Sequence, residues 1–255
     1  LFPNQNFIIN ALDMAYWDIY AQIQQKPLYQ LFKTNWNSNP ANNFTLGIDT
    51  IEKTFKKIKE NPFSIYKIKL GFENDMEYLQ QICNFTDAKI RIDVNGNWKV
   101  AEAIEKIKFC NNYNIECIEQ PIHKNDIEYM NPLMQVSSIV LMADESCVYE
   151  ADVATCKDSF NAINIKLTKC GGITPALRMI NNARKLGLKI MIGNMNESII
   201  GTAAIQHFLP LLDLVDMDGL LLLNTNFIDV IFNNDYTIKE PILHGLGIPT
   251  YINPI

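Results

Sequence analysis

The run IYKIKL at residues 65–70 predicts a short β-strand, because it is rich in β-branched and aromatic residues and lies between Pro62 and Gly71. Side chains alternate across a strand, so Lys67 and Lys69 share one face and the isoleucine between them takes the other. Two ammonium groups on a buried face cost several kcal/mol unless they have partners. An exposed edge strand with two solvated lysines is the alternative interpretation.

The composition is that of an ordinary globular protein with ample core. The chain has 255 residues, of which 48% are hydrophobic and 20% charged, and its length fits one large α/β domain or one domain plus a fragment. Its net charge of -6 argues against nucleic acid and anionic membranes as partners. The sequence contains neither a bilayer-length apolar run nor a signal-peptide pattern. Six cysteines without a Cys-x-x-Cys pair indicate reduced thiols, and hence a cytoplasmic protein.

Strands and helices alternate from residue 44 onward. The predicted strands are 44–48, 64–70, 88–93, 114–119, 138–144, 161–166, 188–192 and 211–216. The predicted helices between them are 50–60, 75–85, 99–112, 125–135, 149–157, 173–186 and 197–208. This alternation predicts a parallel sheet, and the repeat length favours a closed (β/α)8-type barrel. An open doubly wound sheet is the alternative, although no Gly-rich dinucleotide loop follows the first strand.

Two segments flank the predicted barrel. A helix with apolar residues at helical spacing is predicted near 5–25 and ends before Pro27. An Asn- and Ser-rich linker is predicted at 33–43. The tail, rich in Asn, Pro and Gly, is expected to pack on another part of the chain. The three predicted parts are a helical segment at 1–40, the barrel at 41–219 and the tail at 220–255.

Ionisable residues recur at the carboxyl ends of the predicted strands. They are Lys69, Asp93, Glu119, Asp144 and Lys166, followed by Asp216 and Asp218 at the eighth strand. The first five are each separated by one βα unit, so a barrel gathers them at the face where barrel active sites are built. A single acid in such a position often caps the next helix. Three acids on consecutive strands with lysines on both sides favour a site instead.

The pattern suits a metal-assisted proton transfer. Asp93, Glu119 and Asp144 would repel one another without a cation, and oxygen-only ligands favour Mg²⁺ over Zn²⁺. Lys69 and Lys166 are four strands apart on an eight-strand ring, so we expect them on opposite sides of the mouth. That arrangement suits removal of a proton from one face of a carbon and delivery to the other, with the metal stabilising an enediolate.

Two further lysines lie close to this set in sequence. We expect Lys67, together with the metal, to keep the pKa of the catalytic lysine low, and we assign it to both the catalytic and the substrate-binding residues. Lys169 follows Lys166 closely and is interpreted as a solvated or helix-flanking charge.

Together these motifs resemble the enolase superfamily, in its muconate-lactonizing subgroup. The matched barrel motifs are Lys67-Ile68-Lys69, Asp93-Val94-Asn95, Ile118-Glu119-Gln120-Pro121, Ala143-Asp144-Glu145-Ser146 and Asn164-Ile165-Lys166-Leu167. The run at 11–18 resembles the helix before the family's barrel. The resemblance implies a modified (β/α)8-type barrel with seven crossover helices, a Mg²⁺ cofactor and a homo-oligomer. It also implies that 1–40 is a remnant of an N-terminal α+β capping domain on which 220–255 packs.

Within the subgroup, Asp216-Met217-Asp218 resembles the Asp-x-Asp pair with which dipeptide epimerases hold the substrate's α-ammonium. Residues 195–201 resemble their seventh-strand segment, and the resemblance implies that Thr45 contacts the dipeptide backbone. The activity implied is epimerisation of a dipeptide at the α-carbon of its C-terminal residue. Lys69 and Lys166 would be its two acid–base groups.

Other functions remain open on the sequence. An o-succinylbenzoate synthase or a muconate cycloisomerase would act on substrates without an ammonium group. A barrel that binds a metal without catalysis, as a binding module, is the alternative from another class. The family's capping domain carries a loop that contacts the substrate side chain and is not found in this sequence, so we expect part of the specificity site to be missing from it.

Overall fold

Eight parallel strands form one sheet in chain order in this computed structural model. They are β1 (Phe44–Leu46), β2 (Ile65–Lys69), β3 (Lys89–Asp93), β4 (Ile115–Glu119), β5 (Val140–Ala143), β6 (Ala162–Ile165), β7 (Lys189–Gly193) and β8 (Leu214–Asp216). The predicted parallel, barrel-type sheet is confirmed. The open doubly wound alternative is wrong, because that fold reverses its strand order partway across the sheet.

The structure describes residues 5–37, 39–223 and 227–249. The parts of the predicted flanking segments that fall on 1–4, 38, 224–226 and 250–255 lie outside the described residues.

Helices connect successive strands, as predicted. They are α1 (Asn6–Ile23), α2 (Leu28–Leu31), α3 (Ile51–Glu60), α4 (Asp75–Phe85), α5 (Val100–Cys110), α6 (Met130–Val136), α7 (Asp152–Cys156), α8 (Leu167–Cys170), α9 (Ile173–Lys185), α10 (Ile199–Gln206) and α11 (Ile228–Ile231). The helix predicted at 125–135 is divided: a 3₁₀ turn covers Lys124–Tyr129 and α6 follows it. Pro132 lies in the first turn of α6, where a missing N–H costs no hydrogen bond. None of the described helices combines the length and apolarity that a bilayer crossing needs.

The barrel interior has an apolar floor below a charged layer. The floor consists of Cys117, Met142, Ala162, Met191 and Leu214, which form a small cluster separate from the main core. Strand side chains alternate, so the residue two positions further along each strand lies on the same face, one layer higher. Glu119, Asp144 and Asp216 follow floor residues at this spacing. The alternation therefore places carboxylates directly above an apolar floor.

Side chains, not a backbone ladder, connect β1 to β8 in the described residues. The side-chain oxygen of Asn42 accepts a hydrogen bond from the backbone N–H of Met217 at 2.9 Å. Asn43 donates from Nδ2 to Oδ1 of Asp216 at 2.8 Å. Both asparagines are buried. The sequence predicts a linker at 33–43, but Asn42 and Asn43, the last two residues of that linker, form this seam.

Arg91 supports the seam from inside the barrel. Its Nη1 donates to Oδ1 of Asn43 at 2.9 Å and to the backbone carbonyl of Val215, and its Nε donates to Glu116 at 2.7 Å. Asn43 thus links a cation from β3 to a carboxylate at the end of β8. The seam and the charged layer share this residue.

The helix α1 packs against α8 and α9 on the outside of the barrel. Asp13 accepts from the backbone N–H of Thr174 at 2.8 Å, and Trp17 donates from Nε1 to the hydroxyl of Thr174 at 2.8 Å. The tail returns to this region, where the N–H of Leu246 donates to Asp18 at 2.7 Å. The assignment of this region to a capping domain stays a prediction.

The seam is expected to contribute measurably to stability. Asn43→Ala should lower the free energy of unfolding by about 2–4 kcal/mol, because it leaves the buried Arg91 and Asp216 each short of a partner. Denaturant unfolding measures the change. Asn37→Ala, at an exposed asparagine of the same segment, is the matched control and should shift stability by less than about 0.5 kcal/mol. Equal effects of the two variants would contradict a stabilising seam.

Candidate active site

A cavity of about 290 Å³ opens at the carboxyl ends of the strands. The predicted site residues that line it are Thr45, Lys67, Lys69, Asp144, Lys166, Asp216 and Asp218. Asp93 and Glu119 lie just beneath and are almost fully buried. The structure therefore brings every predicted site residue to one face of the sheet.

Lys67 is the central cation of the site. Its Nζ lies 2.7 Å from Oδ2 of Asp216, 3.0 Å from Oδ2 of Asp93 and 2.8 Å from Oε2 of Glu119. Burial disfavours its charge, but the three carboxylates outweigh burial and raise the pKa of Lys67 well above its ordinary value. Lys67 therefore acts as a fixed positive charge.

Asp93 contacts two lysines through one oxygen. Its Oδ2 accepts from Nζ of Lys69 at 2.6 Å and lies near Lys67. Burial opposes ionisation, but the two ammonium groups hold the pKa of Asp93 well below its usual range. On its other side, Lys69 donates to Oδ1 of Asn95 at 2.9 Å.

Glu119 is the least easily ionised of the three acids at the mouth. Burial, and then the negative charge of Asp93, raise the pKa of Glu119 to about 7. Its Oε1 accepts from Nδ2 of Asn164 at 2.7 Å. The sequence motifs predict no role for Asn164. It shares the inward strand face with Lys166, and that parity is the signal that identifies it.

Asp144 is held between two lysines. Lys166 lies 2.7 Å from its Oδ2 and Lys169 lies 2.9 Å from its Oδ1. Burial disfavours the charge of Lys166, but Glu119 and Asp144 raise its pKa above the ordinary value. These two acids keep Lys166 protonated in this arrangement of side chains. The expected lowering of the catalytic lysine pKa requires the bound metal and stays a prediction. Lys169, interpreted as a solvated charge, instead lines the cavity.

The two candidate acid–base lysines occupy separate parts of the mouth. Lys69 ends β2 and Lys166 follows β6, four strands further along the sheet. Lys69 donates to Asp93 and Lys166 donates to Asp144. Glu119 comes from the strand between those of the two acids.

The donor chemistry of the three acids fits a hard divalent ion such as Mg²⁺, because they offer buried carboxylate oxygens from three successive strands. Among the described residues, no three His, Cys, Asp or Glu side chains stand close enough together to form a ready-made metal site. Asp93 and Glu119 instead share the ammonium group of Lys67, and Glu119 and Asp144 share that of Lys166.

A second acidic pair, Asp216 and Asp218, lies at the carboxyl end of β8. Asp216 is ionised, because Lys67 and the amide of Asn43 outweigh burial and lower its pKa. Burial, and then the charge of Asp216, raise the pKa of Asp218 to about 7. The carboxylate of Asp218 accepts from the backbone N–H of Thr45, which places β1 beside the pair. Two buried carboxylates lining a cavity suit a cationic ligand group.

Comparison with known proteins identifies the family. Residues 50–249 match the model of the family described as enolase C-terminal domain-like. An L-Ala-D/L-amino acid epimerase of Maribacter sp. is 43% identical over 244 residues, which cover 95% of this chain and 72% of that protein. A second enzyme of that name, from Flavobacterium johnsoniae, is 42% identical over 245 residues. The match covers 96% of this chain and 73% of that protein.

A solved structure agrees with the sequence relatives. The dipeptide epimerase of Cytophaga hutchinsonii, in complex with Mg and the dipeptide D-Ala-L-Val, superposes with a TM-score of 0.90 at 29% identity. The match covers 96% of this chain and 71% of that one. The chain therefore belongs to the enolase superfamily, in its enolase C-terminal domain-like family, with dipeptide epimerases among its relatives.

Proposed function

We propose that this chain is a Mg²⁺-dependent epimerase of dipeptides, which inverts the α-carbon of the C-terminal residue. The observation that carries the proposal is the joint occurrence of two acid sets around one cavity. One set, Asp93, Glu119 and Asp144, lies between two lysines from strands far apart in the sheet. The other, Asp216 and Asp218, lines the same cavity. Relatives named as an L-Ala-D/L-amino acid epimerase and as a dipeptide epimerase support this assignment.

Three carboxylates would hold the metal in this proposal. Asp93, Glu119 and Asp144 are the ligands, and when bound the ion supplies positive charge that stabilises the enediolate formed at the substrate carboxylate. Lys67 adds a fixed positive charge beside them, because its own contacts keep it protonated. Burial of all four residues strengthens these electrostatic interactions.

Two lysines carry the proton in this proposal. Nζ of one lysine removes the α-proton from one face of the α-carbon, and Nζ of the other delivers a proton to the opposite face. Lys69 serves one epimer and Lys166 serves the other. Because a single planar intermediate is shared, either lysine acts as the base in one direction and as the acid in the other.

The second acidic pair orients the substrate in this proposal. Asp216 and Asp218 bind the α-ammonium of the dipeptide through charge-assisted hydrogen bonds. Thr45 lies at the same end of the cavity and contacts the dipeptide backbone. Substrates of o-succinylbenzoate synthases and muconate cycloisomerases have no ammonium to occupy this pair, so the pair favours a dipeptide. The complete set of lysines and acids favours an enzyme over a binding module.

The cellular location, oligomeric state and capping region of the enzyme belong to the same proposal. We place it in the cytoplasm, where its six unpaired cysteines remain thiols. A homo-oligomer and a capping region that includes residues 1–40 stay predictions.

Removing Lys166 tests the two-lysine mechanism. Lys166→Ala should reduce epimerisation by about 1,000-fold in both directions, because general acid–base catalysis typically contributes about 10²–10⁴-fold. Chiral chromatography of a dipeptide mixture measures the rates. Lys157→Ala, at an exposed lysine, is the matched control and should retain full activity. Full turnover by Lys166→Ala would refute the mechanism.

Glu119 tests the metal assignment without an activity assay. Glu119→Gln should weaken Mg²⁺ binding at least about tenfold by calorimetry, since it removes a charged oxygen ligand. The matched control is Glu116→Gln. Glu116 lies on the same strand and pairs with Arg91 away from the cavity, so this variant should leave Mg²⁺ binding unchanged. Unaltered affinity in the first variant would exclude Glu119 as a ligand.

Asp218 tests the class of substrate. Asp218→Asn should raise KM for dipeptides by about 10- to 100-fold, the loss of about 1.4–3 kcal/mol expected for a charge-assisted contact. Steady-state kinetics with unmodified dipeptides measure the change, and Asp158→Asn at an exposed position is the control. Activity insensitive to Asp218→Asn would favour a substrate without an ammonium group.

A further inference from the structure

Asn95, in the loop after β3, connects Lys69 to Glu145 in the loop after β5. Its Oδ1 accepts a hydrogen bond from Nζ of Lys69 at 2.9 Å, and its Nδ2 donates to Oε1 of Glu145 at 3.2 Å. A lysine ammonium only donates and a carboxylate only accepts, so the two partners fix which end of the amide faces each. The bridge therefore has one orientation.

The backbone of Asn95 is held in place independently of its side chain. Its φ is 49°, in the left-handed region that asparagine and glycine tolerate better than other residues. Its N–H donates to Oδ1 of Asp93 at 3.1 Å. The side-chain amide thus extends from a fixed turn toward Lys69.

The two catalytic lysines differ in how firmly their surroundings hold them. The side chain of Lys69 is 32% exposed, whereas that of Lys166 is 9% exposed. Lys69 therefore has less packing than Lys166 to restrict its four flexible methylene groups, so the position of its Nζ depends more on hydrogen-bond partners. Asp93 already places one negative charge beside this ammonium group. The neutral amide oxygen of Asn95 can orient the group without adding a second.

We propose that Asn95, held by Glu145, is a positioning residue that fixes Nζ of Lys69 against one face of the substrate α-carbon. This inference rests on the proposed epimerase function and assigns a role in one half of it. Lys166, which packing already holds, does not depend on Asn95. The two faces of the reaction therefore have separate supports.

The proposal predicts an effect that depends on the epimer. Epimerisation requires both lysines, so a loose Lys69 slows it equally in both directions, as the overall equilibrium demands. Exchange of the α-proton with solvent requires only the lysine that faces that proton. In deuterated water, exchange in the epimer served by Lys69 should fall, whereas exchange in the epimer served by Lys166 should persist.

Asn95→Gly tests this directly, because glycine accepts the positive φ and keeps the N–H that donates to Asp93. Each epimer of one dipeptide is incubated separately in deuterated water, and mass spectrometry follows deuterium entry at the α-carbon. Exchange in one epimer should fall by about 10- to 100-fold, the scale expected for a misplaced catalytic group, and the other should stay within about twofold. Asn74→Gly, at an exposed asparagine with a φ of 61° on another loop, is the matched control.

A paired substitution tests the bridge itself. Asn95→Asp places two carboxylates together at Glu145 and should also impair exchange on the Lys69 side. Adding Glu145→Gln to Asn95→Asp gives position 145 an amide that can donate to the new carboxylate at position 95. The double variant should recover at least part of the lost exchange rate. Such a rescue would not follow from a merely structural role.

Three results separate the possible failures. If no dipeptide exchanges with the unaltered protein, the proposed epimerase function fails. If the unaltered protein exchanges both epimers and Asn95→Gly lowers both equally, or lowers neither, the positioning role of Asn95 is overturned. Calorimetric Mg²⁺ binding by Asn95→Gly should match the unaltered protein, and a loss of binding would show that Asn95 acts through Asp93 instead.

Discussion

The ammonium group of Lys67 contacts carboxylates from three different strands of the sheet, and the site depends on it. Its neighbours are Asp93 on β3, Glu119 on β4 and Asp216 on β8. Isolated charges at this depth would each cost several kcal/mol, and removing one member of such a set leaves another uncompensated. The lysine thus allows several buried acids to lie close together above an apolar floor. In the proposed function these acids would hold a metal ion and a substrate ammonium.

The stability of the barrel and the chemistry of its mouth rely on common residues. β1 and β8 are joined by side chains in the described structure, and Asn43 is central to that seam because it contacts both Arg91 and Asp216. Asp218 likewise binds the backbone of β1 while lining the cavity. Substitutions at the seam therefore affect the position of the acids that would hold the substrate, so stability and function cannot be separated fully there.

The mouth is chemically asymmetric although the proposed reaction is nearly symmetric. Lys166 is packed and held by acids, whereas Lys69 is more exposed and has the amide of Asn95 as an additional partner. Lys169 adds a second cation on the Lys166 side. The two lysines to which we assign the proton transfer are therefore held differently. Lys166 has close packing and Asp144, whereas Lys69 has Asp93 and the amide of Asn95.

The sequence by itself determined the strand-by-strand layout, because period-two alternation and the βα repeat are local patterns. The same patterns placed Lys69, Asp93, Glu119, Asp144 and Lys166 at one edge of the sheet. Only the tertiary structure decided the seam, the raised pKa of Lys166 and the place of Lys169 in the mouth. These depend on contacts between distant residues, such as Lys67 with Asp216, which are 149 positions apart. No local pattern encodes such a distance, and a pKa depends on burial and on every charge nearby, which exist only once the chain has folded.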